Sequence, residues 1–442
     1  VKKAVSVLIV LTILLLHVFP AGAAVAVSSS PPDLESEAAV LMDANTGQVL
    51  FEKNMNQQLY PASITKIMTI LLGLEYGNLN DTITMSHQAV YSIERGSAHI
   101  ALEEGEQITM EQALMAAMLP SANDASNGIA EKISGSVPEF VKLMNKRAAE
   151  TGALNTHFAN ANGLHDDDHV TTAYDMAMIT KTALQNDQFR RIFGTVQYQI
   201  PPTNKKTQTR YFWTEHKMMK PGKYQYDGAI GGKTGYTKEA ECTLVTAARK
   251  GDRELIAVVL KSSTNGVYND TKKLLDYGFD EFVAAPVMLP AVTADNFQGS
   301  PDSLKIVQQM VDQVNNSQYS RLLYQNIDPA DIMINYTTTQ DHNTSSSQLK
   351  VELSLQNPSA YMCSTIGSIL LDFPPPAAKS TFWITVLHIV LLIIKIIAGI
   401  AIALFSLKFY IKYKKRRKGR SYGVINTTIR RETSVNYSRT KN

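Results

Sequence analysis

Tyr60-Pro61-Ala62-Ser63-Ile64-Thr65-Lys66-Ile67-Met68-Thr69 sets a serine and a lysine three positions apart at the head of a periodic apolar run. From Ser63 to Leu74 the apolar residues Ile64, Ile67, Met68, Leu71 and Leu72 recur at helical spacing, which predicts a buried helix with Ser63 in its first turn. Residues i and i+3 share a helix face, so the Lys66 amine can reach the Ser63 hydroxyl. A serine hydroxyl is a poor nucleophile until a base removes its proton, and a lysine becomes that base where burial or positive neighbours lower its pKa. Alone, the S-x-x-K spacing decides little, because a helix cap followed by a solvated lysine has the same letters.

Two segments downstream give it weight. In Met118-Leu119-Pro120-Ser121-Ala122-Asn123-Asp124 the proline and the polar residues after it predict a loop between two helices. A hydroxyl at Ser121 can relay a proton between Lys66, Ser63 and a leaving amine, and Asn123 can hydrogen-bond a substrate amide. The plain alternative is a helix N-cap at Ser121. In Ala229-Ile230-Gly231-Gly232-Lys233-Thr234-Gly235-Tyr236-Thr237, Gly235 leaves a strand surface bare, so that a peptide backbone can pair with the strand edge. Lys233 and Thr234 then supply a cation and a hydroxyl suited to a carboxylate. A phosphate-binding loop is excluded, since its frame requires glycine where Asp227 stands.

The surrounding pattern predicts an α+β domain with an antiparallel sheet, strands at both ends and helices between them. Ala38–Met42 and Val49–Lys53 flank a turn-rich insert and read as a hairpin, and Leu244–Ala248 with Glu254–Leu260 read as another across Lys250-Gly251-Asp252. Helices are predicted over Glu111–Met118, Pro138–Thr151 and Thr172–Gln185. After Phe282 prolines punctuate the chain, which places a boundary near Ala285. A helix over Leu304–Val314 and a half-buried strand over Leu349–Leu355 follow.

The three short motifs, in this order, resemble the S-x-x-K, S-x-N and K-T-G signature of penicillin-recognising serine enzymes. Within that group the chain is similar to the low-molecular-mass D-alanyl-D-alanine carboxypeptidases. Tyr60–Thr69, Asn155-Thr156-His157-Phe158, Asn162-Gly163-Leu164 and Thr171-Thr172-Ala173-Tyr174-Asp175-Met176-Ala177 add to the match, which covers about residues 35–285 with a faint echo at Ser364-Thr365-Ile366-Gly367. The resemblance implies a β-lactamase/transpeptidase-like fold and attack of Ser63 on the bond between two terminal D-alanines of a peptidoglycan stem peptide. It implies Lys66 as proton acceptor, Ser121 and Asn123 in the proton and substrate network, and Lys233 with Thr234 and Gly235 for the terminal carboxylate. The oxyanion hole would use the Ser63 amide and that of Tyr236 or Thr237. β-Lactams are the implied covalent inhibitors; no cofactor or metal is implied.

Alternatives share much of this. One β-lactamase class needs E-x-x-L-N, and Glu150-Thr151-Gly152-Ala153-Leu154-Asn155 is one residue too long. An endopeptidase or transpeptidase would use the same residues, and a non-catalytic wall-binding scaffold could keep the fold. His157, His165 and His169 beside Asp166, Asp167 and Asp168 read as a solvated turn.

The net charge of +3 owes much to one basic run, Lys412–Arg420, which disfavours a nucleic-acid partner. Cys242 and Cys363 fit no metal spacing and read as free thiols. Residues 1–26 have the order of a signal peptide, with Lys2-Lys3, an apolar stretch from Ala4 to Phe19 and small residues around Ala24. Thr381–Leu407 exceeds the roughly 20 apolar residues that cross a bilayer. The basic tail that follows predicts residues 408–442 inside the cell and the peptidase domain, 33–285, outside. His388 and Lys395 in that run are costly in lipid and are expected to face a partner helix or the interface. Residues 286–378 are expected to form a juxtamembrane domain and a proline-stiffened spacer.

Overall fold

The computed structural model describes residues 31–286 without a break. It describes most of 288–371 (not 294, 296, 298–300, 317–319, 325–331, 341–346 or 356–364) and, beyond, positions 390, 391, 395 and 408. The described residues up to Leu370 belong to one compact unit, and Leu371 onward is a second. Among the described residues no helix is long and apolar enough to cross a membrane. The expected signal peptide over 1–26 lies outside the described residues, as do Cys363 and, but for those four positions, the expected span and tail.

A five-stranded antiparallel sheet organises the first unit. Its strands are β1 (Ala38–Asp43), β2 (Val49–Lys53), β3 (Ala229–Thr237), β4 (Glu241–Lys250) and β5 (Arg253–Ser262), in the order β2-β1-β5-β4-β3. Both expected hairpins are present, and the Lys233-Thr234-Gly235 segment lies on β3, an edge strand with an unpaired side. Successive side chains of a strand point to opposite faces. Accordingly Ala38, Val40 and Met42 join one core while Ala39 and Leu41 join another, so β1 is covered on both sides.

The larger core lies between the sheet and the helices α1 (Lys66–Tyr76), α2 (Met110–Met118), α3 (Asn123–Ser134), α4 (Val137–Glu150) and α5 (Ala173–Ala183). Helix starts follow their caps. Thr109 accepts from Gln112 in a full capping box at α2, and Ser136 and Thr172 cap α4 and α5. Helix α6 (Gly266–Glu281) covers the opposite sheet face, where Leu274, Leu275 and Phe279 are buried. Its first half, Gly266-Val267-Tyr268-Asn269-Asp270, has no clear apolar stripe in sequence. The fold explains the polar residue there, because the buried Asp270 carboxylate accepts the Ser36 amide at 2.8 Å.

The expected boundary at Ala285 falls inside a strand. Phe282–Pro286 pairs with Ser320–Tyr324, and Gln48 donates to the Leu322 carbonyl while accepting its amide, tying this pair to the sheet. Past it come a helix, Pro301–Asn316, and a sheet of Ile332–Gln340, Ser347–Leu355 and Thr365–Leu371.

Glu106, fully buried, accepts from Arg210 at 2.8 and 3.0 Å and from Thr203 at 2.7 Å, joining the two-stranded sheet of Thr82–Thr84 and Gln107–Thr109 to that of Gln197–Ile200 and Arg210–Trp213. Breaking one partner of such a pair strands the other's charge. Arg210→Ala is expected to cost about 3 kcal/mol in urea unfolding, whereas an exposed pair such as Lys142–Glu139 contributes less than about 1 kcal/mol. Equal effects for the two would contradict the assignment.

Candidate active site

Ser63 lies in a 3-10 turn, Ala62–Thr65, that leads directly into α1, so the nucleophile turn is tighter than the α-helical first turn expected. Ala62 has φ +50°, a left-handed conformation that costs a non-glycine residue energy and turns the chain sharply before Ser63. The Thr65 hydroxyl donates to the Ala62 carbonyl at 2.8 Å and the Thr243 hydroxyl to the Pro61 carbonyl at 2.8 Å. Two glycines permit the packing around it. A Cβ at Gly163 would stand 2.0 Å from the Ala62 carbonyl oxygen, and one at Gly235 would stand 2.8 Å from the Ser63 nitrogen.

Lys66, fully buried, places Nζ 2.9 Å from Ser63 Oγ, 2.7 Å from Asn123 Oδ1 and in contact with the Asn162 carbonyl. Burial, followed by the positive charge of Lys233, lowers its pKa well below the lysine range, against weaker opposition from Glu215 and Asp124. A neutral amine has two N–H donors and one lone pair. Asn123 Oδ1 and the Asn162 carbonyl can only accept, so they take both donors and leave the lone pair for the Ser63 proton.

Ser121 precedes α3 with φ +62°, a second strained non-glycine residue, and its Oγ accepts from Lys233 Nζ at 3.0 Å. Lys233 also donates to the Thr234 carbonyl, and burial lowers its pKa to about 8 while Glu215 opposes the shift. Asn123, the first residue of α3, is held by its amide on the Ala98 carbonyl, and the neighbouring Asp124 carboxylate accepts the Ile100 and Leu102 amides. The loop before α3 and the edge strand are thereby fixed against α1. A cleft of about 640 Å³ opens over them, lined by Ser63, Ser121, Asn123, Thr234, Gly235 and Tyr236 among others.

All seven expected site residues therefore meet in one place. Lys66 and Lys233 lie beneath the cleft surface. Tyr236 and Thr237 both line the cleft.

His169 departs from the expected solvated turn. His157, His165 and Asp166–Asp168 are exposed, but His169 is buried. Its Nδ1 accepts the Ala159 amide at 2.9 Å, which leaves the proton on Nε2, 2.7 Å from Thr65 Oγ1. The imidazole thus supports the hydroxyl that holds the Ala62 carbonyl. The following Val170-Thr171, whose backbone pairs with His157 and Leu59, was the available sign that the turn closes onto the core. Asn162 acts through its backbone carbonyl, which no side-chain motif reveals. His216, buried beneath Gly232, and Glu215 belong to no motif. Among the described residues no group of side chains is arranged to hold a metal ion.

The family model for D-alanyl-D-alanine carboxypeptidases of the S11 peptidases matches residues 25–264. The chain belongs to that family. It is 40% identical over 262 residues to D-alanyl-D-alanine carboxypeptidase DacF of Bacillus subtilis, covering 57% of this chain and 64% of that relative. It is 32% identical over 268 residues to a D-alanyl-D-alanine carboxypeptidase of Streptomyces sp. strain K15, covering 58% of this chain and 92% of that one. The match to the Bacillus relative, and the 66% match to DacC of Escherichia coli, each span slightly under two thirds of those relatives. The crystal structure of the Streptomyces K15 DD-transpeptidase superposes with a TM-score of 0.53 at 29% identity, over 57% of this chain and 99% of its own. Penicillin binding protein 6B from Escherichia coli, at 23% identity and TM-score 0.56, shares the fold over 78% of this chain and 96% of its own.

Acid should weaken this part of the fold. Burial first lowers the pKa of His169 and His216 to about 3, below the ordinary 6.5. Their neutral forms stabilise the fold above about pH 6.5, and that contribution is lost as pH falls toward 3, because the unfolded chain takes up protons that the folded chain refuses. Each histidine contributes a slope of up to about 1.4 kcal/mol per pH unit in that window. Urea unfolding of His169→Gln between pH 7 and 4 should show a shallower decline than the parent; parallel curves would contradict a neutral buried His169.

Proposed function

We propose that the chain is a serine D-Ala-D-Ala carboxypeptidase that removes the terminal D-alanine of peptidoglycan stem peptides and is acylated by penicillin. The family assignment supports the activity class. The observation that carries the reading is a buried Lys66 amine, its pKa lowered well below the lysine range, that stands 2.9 Å from Ser63 Oγ and bonds two groups that can only accept, Asn123 Oδ1 and the Asn162 carbonyl.

In this reading Ser63 Oγ attacks the carbonyl carbon of the penultimate D-alanine while its proton passes to Lys66 Nζ. The oxyanion forms between the Ser63 amide and an amide of the β3 edge, at Tyr236 or Thr237. The carbon–nitrogen bond breaks, the leaving nitrogen receives a proton through Ser121, and D-alanine departs. Water then attacks the ester, giving its proton to Lys66, and the shortened peptide and free Ser63 result. The substrate strand would pair with the open side of β3, with its terminal carboxylate at Lys233 and Thr234. The apolar run at 381–407 and the basic residues after it support membrane anchoring, with the catalytic unit on the outer side.

Purified protein should release D-alanine from a pentapeptide, and Ser63→Ala should abolish release. Lys66→Met should lower the acylation rate by about 10³-fold, and release near the parent rate in either variant would sink the mechanism. The pH profile has a defined sign as well. kcat/KM should rise with pH through the depressed pKa of Lys66, which must be neutral, and fall above about 8 as Lys233 loses the proton that binds carboxylate. An alkaline limb near the ordinary 10.5 would contradict that role for Lys233.

A further inference from the structure

A second surface lies outside the cleft, on the hairpin of Gln197–Ile200 and Arg210–Trp213. Directly opposed residues of an antiparallel pair share a face, and here Gln197 opposes Trp213 while Gln199 opposes Tyr211. The other face, with Ile200 and Phe212, is buried in the larger core and anchors the hairpin. The outward face leaves Tyr211 54% and Trp213 53% exposed, beside the exposed Gln197 and Gln199. A single exposed aromatic residue is ordinary, but two on one anchored face call for a ligand. Their ring centres are 6.5 Å apart with planes inclined by 29°, so two roughly parallel apolar faces follow one another.

Chemistry narrows what covers this face. Its four side chains carry no charge, whereas an anionic lipid surface would call for lysine or arginine among them. Two half-exposed rings offer roughly 200 Å², far below the roughly 800 Å² that each partner of a stable protein pair buries. A sugar ring meets both limits. It is narrow, its C–H faces are apolar and lie flat on an aromatic ring, and the hydroxyl and acetamido groups at its rim bond side-chain amides such as those of Gln197 and Gln199. Two aromatic rings in succession suit adjacent units of a linked chain.

The same backbone carries this face to the cleft. From Tyr211 to Met218 exposure alternates without a break: Tyr211, Trp213, Glu215 and Lys217 are exposed, and the four residues between and after them are buried. Glu215 and Lys217 line the cleft over Ser63, and the Glu215 amide is held by the carbonyl of Leu119, two residues before Ser121. Two residues of chain span at most about 7 Å, so Trp213 stands at the rim of the cleft.

We propose that Tyr211 and Trp213, flanked by Gln197 and Gln199, form a carbohydrate platform that binds the amino-sugar strand of the wall polymer beside the cleft. The identity of the sugar rests on the reading of the chain as a wall peptidase. Stem peptides hang from such strands, so holding a strand raises the local concentration of the peptides at Ser63. The reaction at Ser63 is unchanged.

Trp213 and Trp383 are the two tryptophans of the chain, so the full chain carrying Trp383→Phe reports on Trp213 alone. Titration with a β-1,4-linked N-acetylglucosamine oligosaccharide should change its fluorescence saturably, and Tyr211→Ala in that background should weaken binding about tenfold. In the full chain, Trp213→Ala should lower the ratio of kcat/KM for glycan-linked stem peptide to that for free pentapeptide about tenfold, through a higher KM for the glycan-linked form. This ratio does not depend on the folded fraction, and Trp213→Tyr should restore most of it. Absence of a saturable fluorescence change, or a ratio unchanged within twofold in Trp213→Ala, overturns the platform. Trp213-dependent pelleting with phosphatidylglycerol vesicles in place of the sugar response also overturns it and gives the face to lipid. Fluorescent penicillin separates the two levels. Labelling at Ser63 without a sugar response refutes the platform alone, whereas a saturable sugar response without Ser63 labelling upholds the platform and refutes the serine mechanism.

Discussion

The buried amine of Lys66 is the constraint around which the rest of the molecule is arranged. A lysine removed from water keeps its charge only at high cost, so the group goes neutral and its hydrogen bonds must be met in that form. Asn123 Oδ1 and the Asn162 carbonyl meet two of them, and Ser63 Oγ stands at the third position. A second cation, Lys233, reinforces the shift from across the cleft. Base strength is thus set by burial and a like charge rather than by a carboxylate partner.

Holding that arrangement requires three separate parts of the chain to be fixed at once. Helix α1 supplies Ser63 and Lys66, the start of α3 supplies Asn123 behind the strained Ser121, and edge strand β3 supplies Lys233. Backbone strain at Ala62 and Ser121 is sustained by the surrounding contacts: the Thr65 hydroxyl, supported by His169, holds Ala62, and Lys233 holds Ser121. Strain of this kind persists only where neighbours over-determine it. Gly163 and Gly235 matter for the complementary reason, since a methyl group at either would push on the backbone that positions Ser63.

Much of this could be read from the residues. Apolar runs flanking turn residues predicted β1, β2, β4 and β5, and the spacing of Ile64, Ile67 and Leu71 predicted α1. The motif serines and lysines do converge, because each motif couples a chemical group to the local geometry that presents it. Other features had no local signature. The 3-10 turn at Ser63 depends on a hydrogen bond to Ala62 and on packing from Gly163, a hundred residues away in order of magnitude. Asn162 contributes a carbonyl, which every residue possesses. His169 shares a polar stretch with exposed neighbours and differs from them only by its tertiary position. Glu215 sits between the strand that ends at Trp213 and the turn that starts at Lys217, and only the fold brings it to Thr234. Near the boundary expected at Ala285, prolines punctuate the chain, yet Phe282–Pro286 finds its partner strand at Ser320–Tyr324, a pairing with no local sign in the sequence.

Two opposing demands therefore meet in the cleft. Neutral Lys66 must stay basic enough to take the Ser63 proton, while charged Lys233 must stay near enough to depress it and to greet an anion, with Glu215 moderating both. Direct titration of the Lys66 side chain by NMR, with isotope-labelled lysine and Lys66→Met to assign the signal, tests this most directly. The account predicts a Lys66 amine that titrates well below the ordinary lysine range; a Lys66 ammonium that titrates near 10.5 would contradict it.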